Sequence, residues 1–386
     1  MITLVKDTID QKDIDRLISW LSTYPRLTKG PITLELEKKW AAWVGTKYSV
    51  FCNSGSSANF LMLHALLESG RITSGNKVVV PALAWATDLS PVMQLGLHPI
   101  LCDINLKDLS VDLDHLERIF QNEAPAAFIL VSVLGLSPNM GQIESLCKRY
   151  NVMLLEDVCE SMGTEFEDKR LGSFGLMSSF STYFGHHIST IEGGFINTDD
   201  DELYEMLLAV RSHGWDRDLS AKSQKLLQQQ WGVSEFDSMY TFYYSGLNMR
   251  STDLQAYIGL SQVDKLEDIS KKRNKNYFTY LENIHNDFWT PAKYPNCFVS
   301  NFAFPVIHPH KDKIVRSLIE NSVEVRPLIC GSMGSQPFYV KRYGALKLPN
   351  ASIVDNCGLY IPNHPGLTQN EILTVCDIVN EAITSV

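Results

Sequence analysis

Along the chain the spacing of apolar residues switches repeatedly between a helical period and a period of two, and the switches predict its elements. Ile14, Leu17, Ile18 and Leu21 recur at helical offsets and predict an amphipathic helix over 10–22. A loop over 25–31 and a helix over 32–43, ending near Gly45, follow. From 49 to about 215, short apolar runs alternate with helical patterns. Segments 49–52, 77–82, 99–104, 127–133 and 152–156 read as strands, and helices are expected over 58–67, from 111, and over 140–150 and 201–211. The run 127–133 is almost wholly apolar, as in a strand covered on both faces. Leu176, Ser178, Phe180, Thr182 and Phe184 share one face of a further strand, and 195–198 reads as the next. This alternation predicts a mostly parallel α/β sheet with crossover helices.

The second half has a different texture. Segment 219–236 is polar and carries Gln224, Gln228, Gln229 and Gln230, which predicts a mobile excursion or lid. A polar loop over 243–250 precedes a helix over 253–274 that runs on towards Leu281, long enough to bridge two domains. After Trp289 come short strands at 301–306 and 360–362, an antiparallel edge at 323–326 and a helix at 313–321. Thr368, with Glu371 three residues on, forms a capping box that starts a closing helix over 368–385. The expected division is an N-terminal segment 1–30, a large α/β domain 31–260 and a small C-terminal α+β domain 261–386.

Composition narrows the function. Over 386 residues the formal charge is −10, which argues against a nucleic-acid partner, whose phosphates call for a basic surface. The first residues lack the basic-then-apolar pattern of a signal peptide, and no run of eighteen apolar residues would span a membrane. Eight cysteines are scattered without a Cys-x-x-Cys pair or any metal- or cluster-ligand spacing. Free thiols in a reducing, cytoplasmic compartment are the expectation.

Three stretches carry candidate chemistry. Strand 49–52 runs into Gly55, Ser56 and Ser57 at the start of a helix, where backbone N–H groups and the helix dipole suit one phosphate. An ordinary Ser-capped helix is the alternative. Trp85 lies at the carboxyl end of strand 77–82, placed to stack on a flat ligand or to plug the core. Asp157 ends strand 152–156, the edge where α/β sheets place their sites. Next along the chain, His186 and His187 sit at a turn before Glu192-Gly193-Gly194.

In this order the residues resemble the sugar aminotransferase branch of the vitamin B6-dependent fold type I, the aspartate aminotransferase-like fold, from about residue 30 to the C-terminus. The resemblance implies a seven-stranded sheet and a pyridoxal 5′-phosphate or pyridoxamine 5′-phosphate cofactor. Gly55, Ser56, Ser57 and Ser181 would hold its phosphate, Trp85 would stack on its ring, and Asp157 would face the pyridine nitrogen. Asn248 would reach the phosphate of a second subunit in a homodimer, with Arg250 beside it. One position departs from the branch. Six residues before Glu192, where the branch has the lysine that tethers the cofactor, stands His186, and no lysine occurs between Lys169 and Lys222. Glu156 to Gly163 and Gly185 to Gly194 resemble the lysine-less subgroup, the nucleotide-sugar 3-dehydrases that use pyridoxamine phosphate.

That subgroup implies His186 as the catalytic acid–base and Glu160 as a partner near the ring. Arg250 and Arg326 are candidate substrate contacts, Arg326 with a surface ion pair as its alternative, and His187 is either a further contact or a structural, orienting residue. The implied substrate is a nucleotide-diphosphate 4-keto-6-deoxy sugar, with guanosine the base in the nearest resemblance and glutamate the amino donor. The iron–sulfur relative of the subgroup is set aside, because the closely spaced cysteines it needs are missing. An aminotransferase acting without its lysine and a non-catalytic cofactor-binding protein are the alternatives.

Overall fold

The computed structural model describes residues 1–292 and 295–384. Strands β1 (Tyr48–Cys52), β2 (Lys77–Pro81), β3 (His98–Cys102), β4 (Ala127–Val131) and β5 (Met153–Asp157) come first in the chain. The two-residue strands β6 (Glu165–Phe166) and β7 (Lys169–Arg170) lead to β8 (Met177–Ser181) and β9 (Gly194–Thr198). Seven of them form the main sheet in the order β1-β9-β8-β5-β4-β2-β3, parallel except that β9 runs antiparallel to both neighbours. The mostly parallel seven-stranded α/β sheet expected from the sequence is therefore present. Every residue of β4, β8 and β9 is buried, because helices cover both faces.

The order reverses between β2 and β4, with β3 on one side and β5, β8 and β9 following on the other, and the candidate residues gather at the carboxyl ends of β2, β5 and β8. Helix Gly55–Glu68 packs across β8 and β9 behind that edge. Beneath it Trp40 stacks on Phe195 with ring centroids 4.3 Å apart, and Phe180 meets Trp40 edge-on at 5.2 Å. Arg211 is fully buried and donates to Glu37 Oε1 at 2.6 Å and to the Phe51 carbonyl at 2.8 Å, tying the end of β1 to two helices.

The helix Asp253–Asn283 is one piece of 31 residues. It packs on Pro31–Val44 at one end and on Gln369–Thr384 at the other, so a boundary at 260 falls inside a helix shared by both domains. In the small domain β11 (Phe304–Ile307), β12 (Arg326–Pro327) and β13 (Gly358–Ile361) pair antiparallel with β13 in the centre, while β10 (Cys297–Phe298) joins β6 and β7. The N-terminus is not a separate segment. Ile2 bridges to Val323, and Glu324 accepts from the Leu4 N–H at 2.8 Å.

Several expectations are corrected. Segment 219–236 is helical, as Ala221–Trp231 and Glu235–Ser238; Ser220 and Ser234 cap the two N-termini, and four glutamines do not oppose a helix. The strand expected over 301–306 begins only at Phe304, because Asn301 spends its side chain on the Leu134 and Ala303 carbonyls. The edge at 323–326 shrinks to Arg326–Pro327, since Val323 pairs with the N-terminus instead. Thr182 and Phe184 lie beyond β8, and Phe184 is exposed. Helices Pro337–Tyr343 and Pro349–Cys357, each opened by a proline, escaped the periodicity. The capping box of Thr368 and Glu371 is formed, while Ser385 lies outside the described residues.

Candidate active site

Gly55 opens its helix against the end of β8. A Cβ there would stand 2.6 Å from the Ser181 Cβ, so only glycine lets the helix N-terminus approach that strand. Ser54 caps the helix by accepting from the Ser57 N–H at 3.1 Å. Ser56 stays exposed at the first turn, and Ser181 lies buried at the strand end beside it. An exposed first turn with a hydroxyl from the neighbouring strand has the chemistry of a single-phosphate cradle. Trp85 caps the next helix, Ala86–Gln94, and more than half its surface is open. An indole this open is not a plug of the core.

Asp157 is buried at the end of β5. Its Oδ1 accepts from the Cys159 N–H at 2.9 Å and its Oδ2 from Asn59 Nδ2 at 2.6 Å. Glu160 accepts from the Leu134 N–H at 2.9 Å, and burial pushes its carboxyl up to about 8. It lies close enough to Asp157 to feel its charge, and not against any described cation.

The two histidines part company. His186 is half-buried, with its ring 5.5 Å from that of Phe302. Burial lowers its pKa to about 4 and nearby Arg273 adds to this, while Asp157 acts the other way. The imidazole is therefore neutral at neutral pH and able to take a proton. Among the described residues its Nδ1 has no hydrogen-bond partner. His187 is fully buried with Nε2 3.0 Å from the Ser300 carbonyl. With no surface left for a ligand, it is not a substrate contact but has the structural role, an anchor between the turn and segment 300–302.

Arg250 and Asn248 belong to the loop over 243–250, which docks on the end of β1 where the Asn53 N–H donates to the Met249 carbonyl at 3.0 Å. Asn248 is exposed and its Oδ1 receives Arg250 Nε at 3.1 Å. Arg326 is exposed on the small-domain sheet edge opposite Tyr360 and, among the described residues, makes no ion pair. Sequence reasoning missed Asp88, Asn59 and Arg273. Arg273 is buried and donates to the carbonyls of Phe302 and Asn363, each at 2.7 Å. Asn59 lies one helical turn beyond Gly55 and Asp88 three residues beyond Trp85, spacings that put them on the same faces as recognised residues.

The family model of the DegT/DnrJ/EryC1/StrS aminotransferase family matches residues 8–380. The chain is 33% identical over 371 residues to a GDP-4-keto-6-deoxy-D-mannose 3-dehydratase of Yersinia pseudotuberculosis, covering 94% of this chain and 93% of that one. It is 32% identical over 369 residues to the protein of the same name from Escherichia coli O55:H7, covering 92% of each. A crystal structure of GDP-4-keto-6-deoxymannose-3-dehydratase with a trapped PLP-glutamate geminal diamine superposes with a TM-score of 0.89 at 30% identity, covering 98% of this chain and all of that one.

Proposed function

The chain belongs to the DegT/DnrJ/EryC1/StrS aminotransferase family, and from that premise we propose that it is a vitamin B6-dependent 3-dehydratase. It removes the C3 hydroxyl of a nucleotide-linked 4-keto-6-deoxy sugar, GDP-4-keto-6-deoxy-D-mannose by likeness to its relatives. The observation that carries this reading is His186. A half-buried neutral imidazole stands where an aminotransferase needs a lysine.

The residues present fit the cofactor. The close approach of Gly55 to Ser181 leaves a helix N-terminus free for its phosphate, Trp85 offers an open aromatic face, and Asp157 is fixed by two donors to meet a ring nitrogen. When bound, pyridoxamine phosphate supplies the amine that condenses with the C4 ketone and a ring that takes up electrons. Neutral His186 accepts a proton and delivers it to the departing C3 hydroxyl oxygen. Asp157 keeps the ring nitrogen protonated. Arg326, free of a carboxylate partner among the described residues, is the candidate for the substrate diphosphate. Glutamate restores the amine form.

The assembly is a homodimer, with Asn248 and Arg250 of each chain serving the other's site. The support is apolar surface. Tyr24, Tyr183, Phe184, Ile191, Trp231 and Phe242 are all more than 40% exposed. Tyr183 and Phe184 meet at 4.6 Å and Phe242 stacks on Trp215 at 6.5 Å, and clustered exposed rings of this kind mark interaction surfaces.

The test has two stages. Glutamate added to the pyridoxal phosphate-loaded protein should bleach the yellow band and raise a near-ultraviolet band. The GDP, CDP, UDP and dTDP 4-keto-6-deoxy sugars are then supplied in turn. A product that has lost the C3 oxygen and gained no nitrogen supports the reading, while an amino sugar that keeps its C3 hydroxyl overturns it.

A further inference from the structure

Behind Asp157 lies a second carboxyl that the reaction as described does not use. Asp88 has no exposed surface. Its Oδ2 accepts from the Trp85 N–H at 2.8 Å and its Oδ1 from Asn59 Nδ2 at 3.0 Å. The same Asn59 nitrogen donates to Asp157 Oδ2 at 2.6 Å, so one amide spends both its N–H bonds on two acids. Ser179 Oγ, 2.5 Å from Asn59 Oδ1, fixes which end of the amide faces them. One nitrogen 3.0 Å from Asp88 Oδ1 and 2.6 Å from Asp157 Oδ2 holds the two carboxyls side by side, and two buried acids placed so, with no described cation between them, favour a single shared proton. No described Lys or Arg pairs with either, and the other titratable groups around them are Glu160, Cys159, Cys330 and, facing Asp157, the His186 imidazole.

We infer that Asp88 is a positioning residue, holding a proton that it donates to Asp157, so that Asp157 meets the cofactor ring as an oriented carboxylate. Asp88 is the better home for the proton. It is wholly buried, and burial together with the charges of Asp157 and Glu160 pushes its carboxyl well above the usual range. Asp157, at the edge of the site, keeps a little exposure and accepts from the Cys159 N–H. The bridge through Asn59 and the Asp88 hydroxyl would hold the Asp157 carboxylate in one plane. This inference rests on the cofactor reading for its purpose, but the shared proton belongs to the protein alone.

The first experiment therefore uses the full chain without cofactor, its aspartates labelled with carbon-13 at the side-chain carboxyl. One aspartate carboxyl should remain protonated at pH 7 in the carbon spectrum, and Asp88→Asn should remove that resonance. Aspartates that all titrate in the ordinary carboxylate range would overturn the inference, and this needs no variant to fold. The second experiment measures pyridoxal 5′-phosphate affinity. Asp88→Asn keeps a neutral donor and should hold Kd within about three-fold of the parent, whereas Asp88→Leu removes the donor and should raise it about ten- to a hundred-fold. Equal weakening by both variants would mean that Asp88 acts as a charge, and the inference fails. Wild-type protein that binds no cofactor but shows the protonated aspartate would sink the proposed function and leave the carboxyl pair standing.

Discussion

The aspartate pocket at the end of β5 and the segment from 219 to 250 carry opposite imbalances. In the pocket, polar groups are buried and satisfied: Asn59, Asp88, Asp157 and Ser179 give one another their hydrogen bonds within one chain. In the segment, apolar groups are exposed. Trp231 is 63% open, Phe236 76% and Tyr240 77%, and the helix Ala221–Trp231 buries only Leu227. Arg217 sits over the rings of Trp215 and Tyr240, 4.1 and 5.0 Å from their centroids, and donates to the Met239 carbonyl. The segment is thus ordered on itself with its apolar side outward. The difference teaches that the buried acids satisfy one another within one chain, while the open apolar surface is what the proposed homodimer would cover.

The strongest way to break that comparison is at His186. His186→Asn should lower dehydration by roughly 10²–10⁴-fold, the worth of a positioned acid–base, and leave cofactor affinity nearly unchanged; product formation and a cofactor titration measure the two. His186→Lys should lose dehydration as steeply and trap pyridoxal phosphate in an adduct that borohydride makes covalent, visible as added protein mass. An untrapped lysine would show that His186 does not stand at the tether position.

At the other pole, Trp231→Ser with Phe242→Ser should shift sedimentation from dimer towards monomer. Activity should fall with it if Asn248 and Arg250 complete the partner's site. A fully active monomer would remove the surface half of the comparison. Serine costs little within the protomer here, because both side chains are already mostly exposed.

Acid titration sharpens the buried pole. The His186 pKa falls from 6.5 in the unfolded chain to about 4 in the folded one, so the unfolded chain binds the extra proton first. Its contribution to stability is present above pH 6.5 and is lost as pH falls towards 4. Melting curves at about pH 7 and about pH 5 should draw closer together in His186→Asn than in the parent. For the same reason the acid limb of kcat/KM in the parent should lie well below pH 6.5.

The smallest expected effect on chemistry is at the neighbouring histidine. His187→Asn should leave dehydration within a few-fold of the parent while lowering stability by about 1–3 kcal/mol, because it leaves the Ser300 carbonyl and the packing of a buried ring short of a partner. Chemical denaturation separates the stability loss from the rate. If instead His187→Asn abolished turnover, the roles of the two histidines would be exchanged.

Much of the frame was legible in the sequence because its signals are local. A strand that ends in Asp157, a glycine and serines opening a helix, and a missing lysine before Glu192 are each read within a short stretch. The alternation of apolar runs with helical patterns likewise showed a mostly parallel sheet, while its seven-strand size came from the resemblance, since a covered strand such as β8 carries three serines among its five buried residues. Tertiary structure decided what depends on distant parts of the chain. Asn59 meets Asp88 across 29 positions and Asp157 across 98, separations that no local pattern carries. His186 and His187 are identical side chains side by side. Segment 300–302, more than a hundred residues on, closes wholly over one and leaves the other half open. Only the packed fold could decide which histidine keeps access to a substrate, because burial is set by what arrives from elsewhere in the chain.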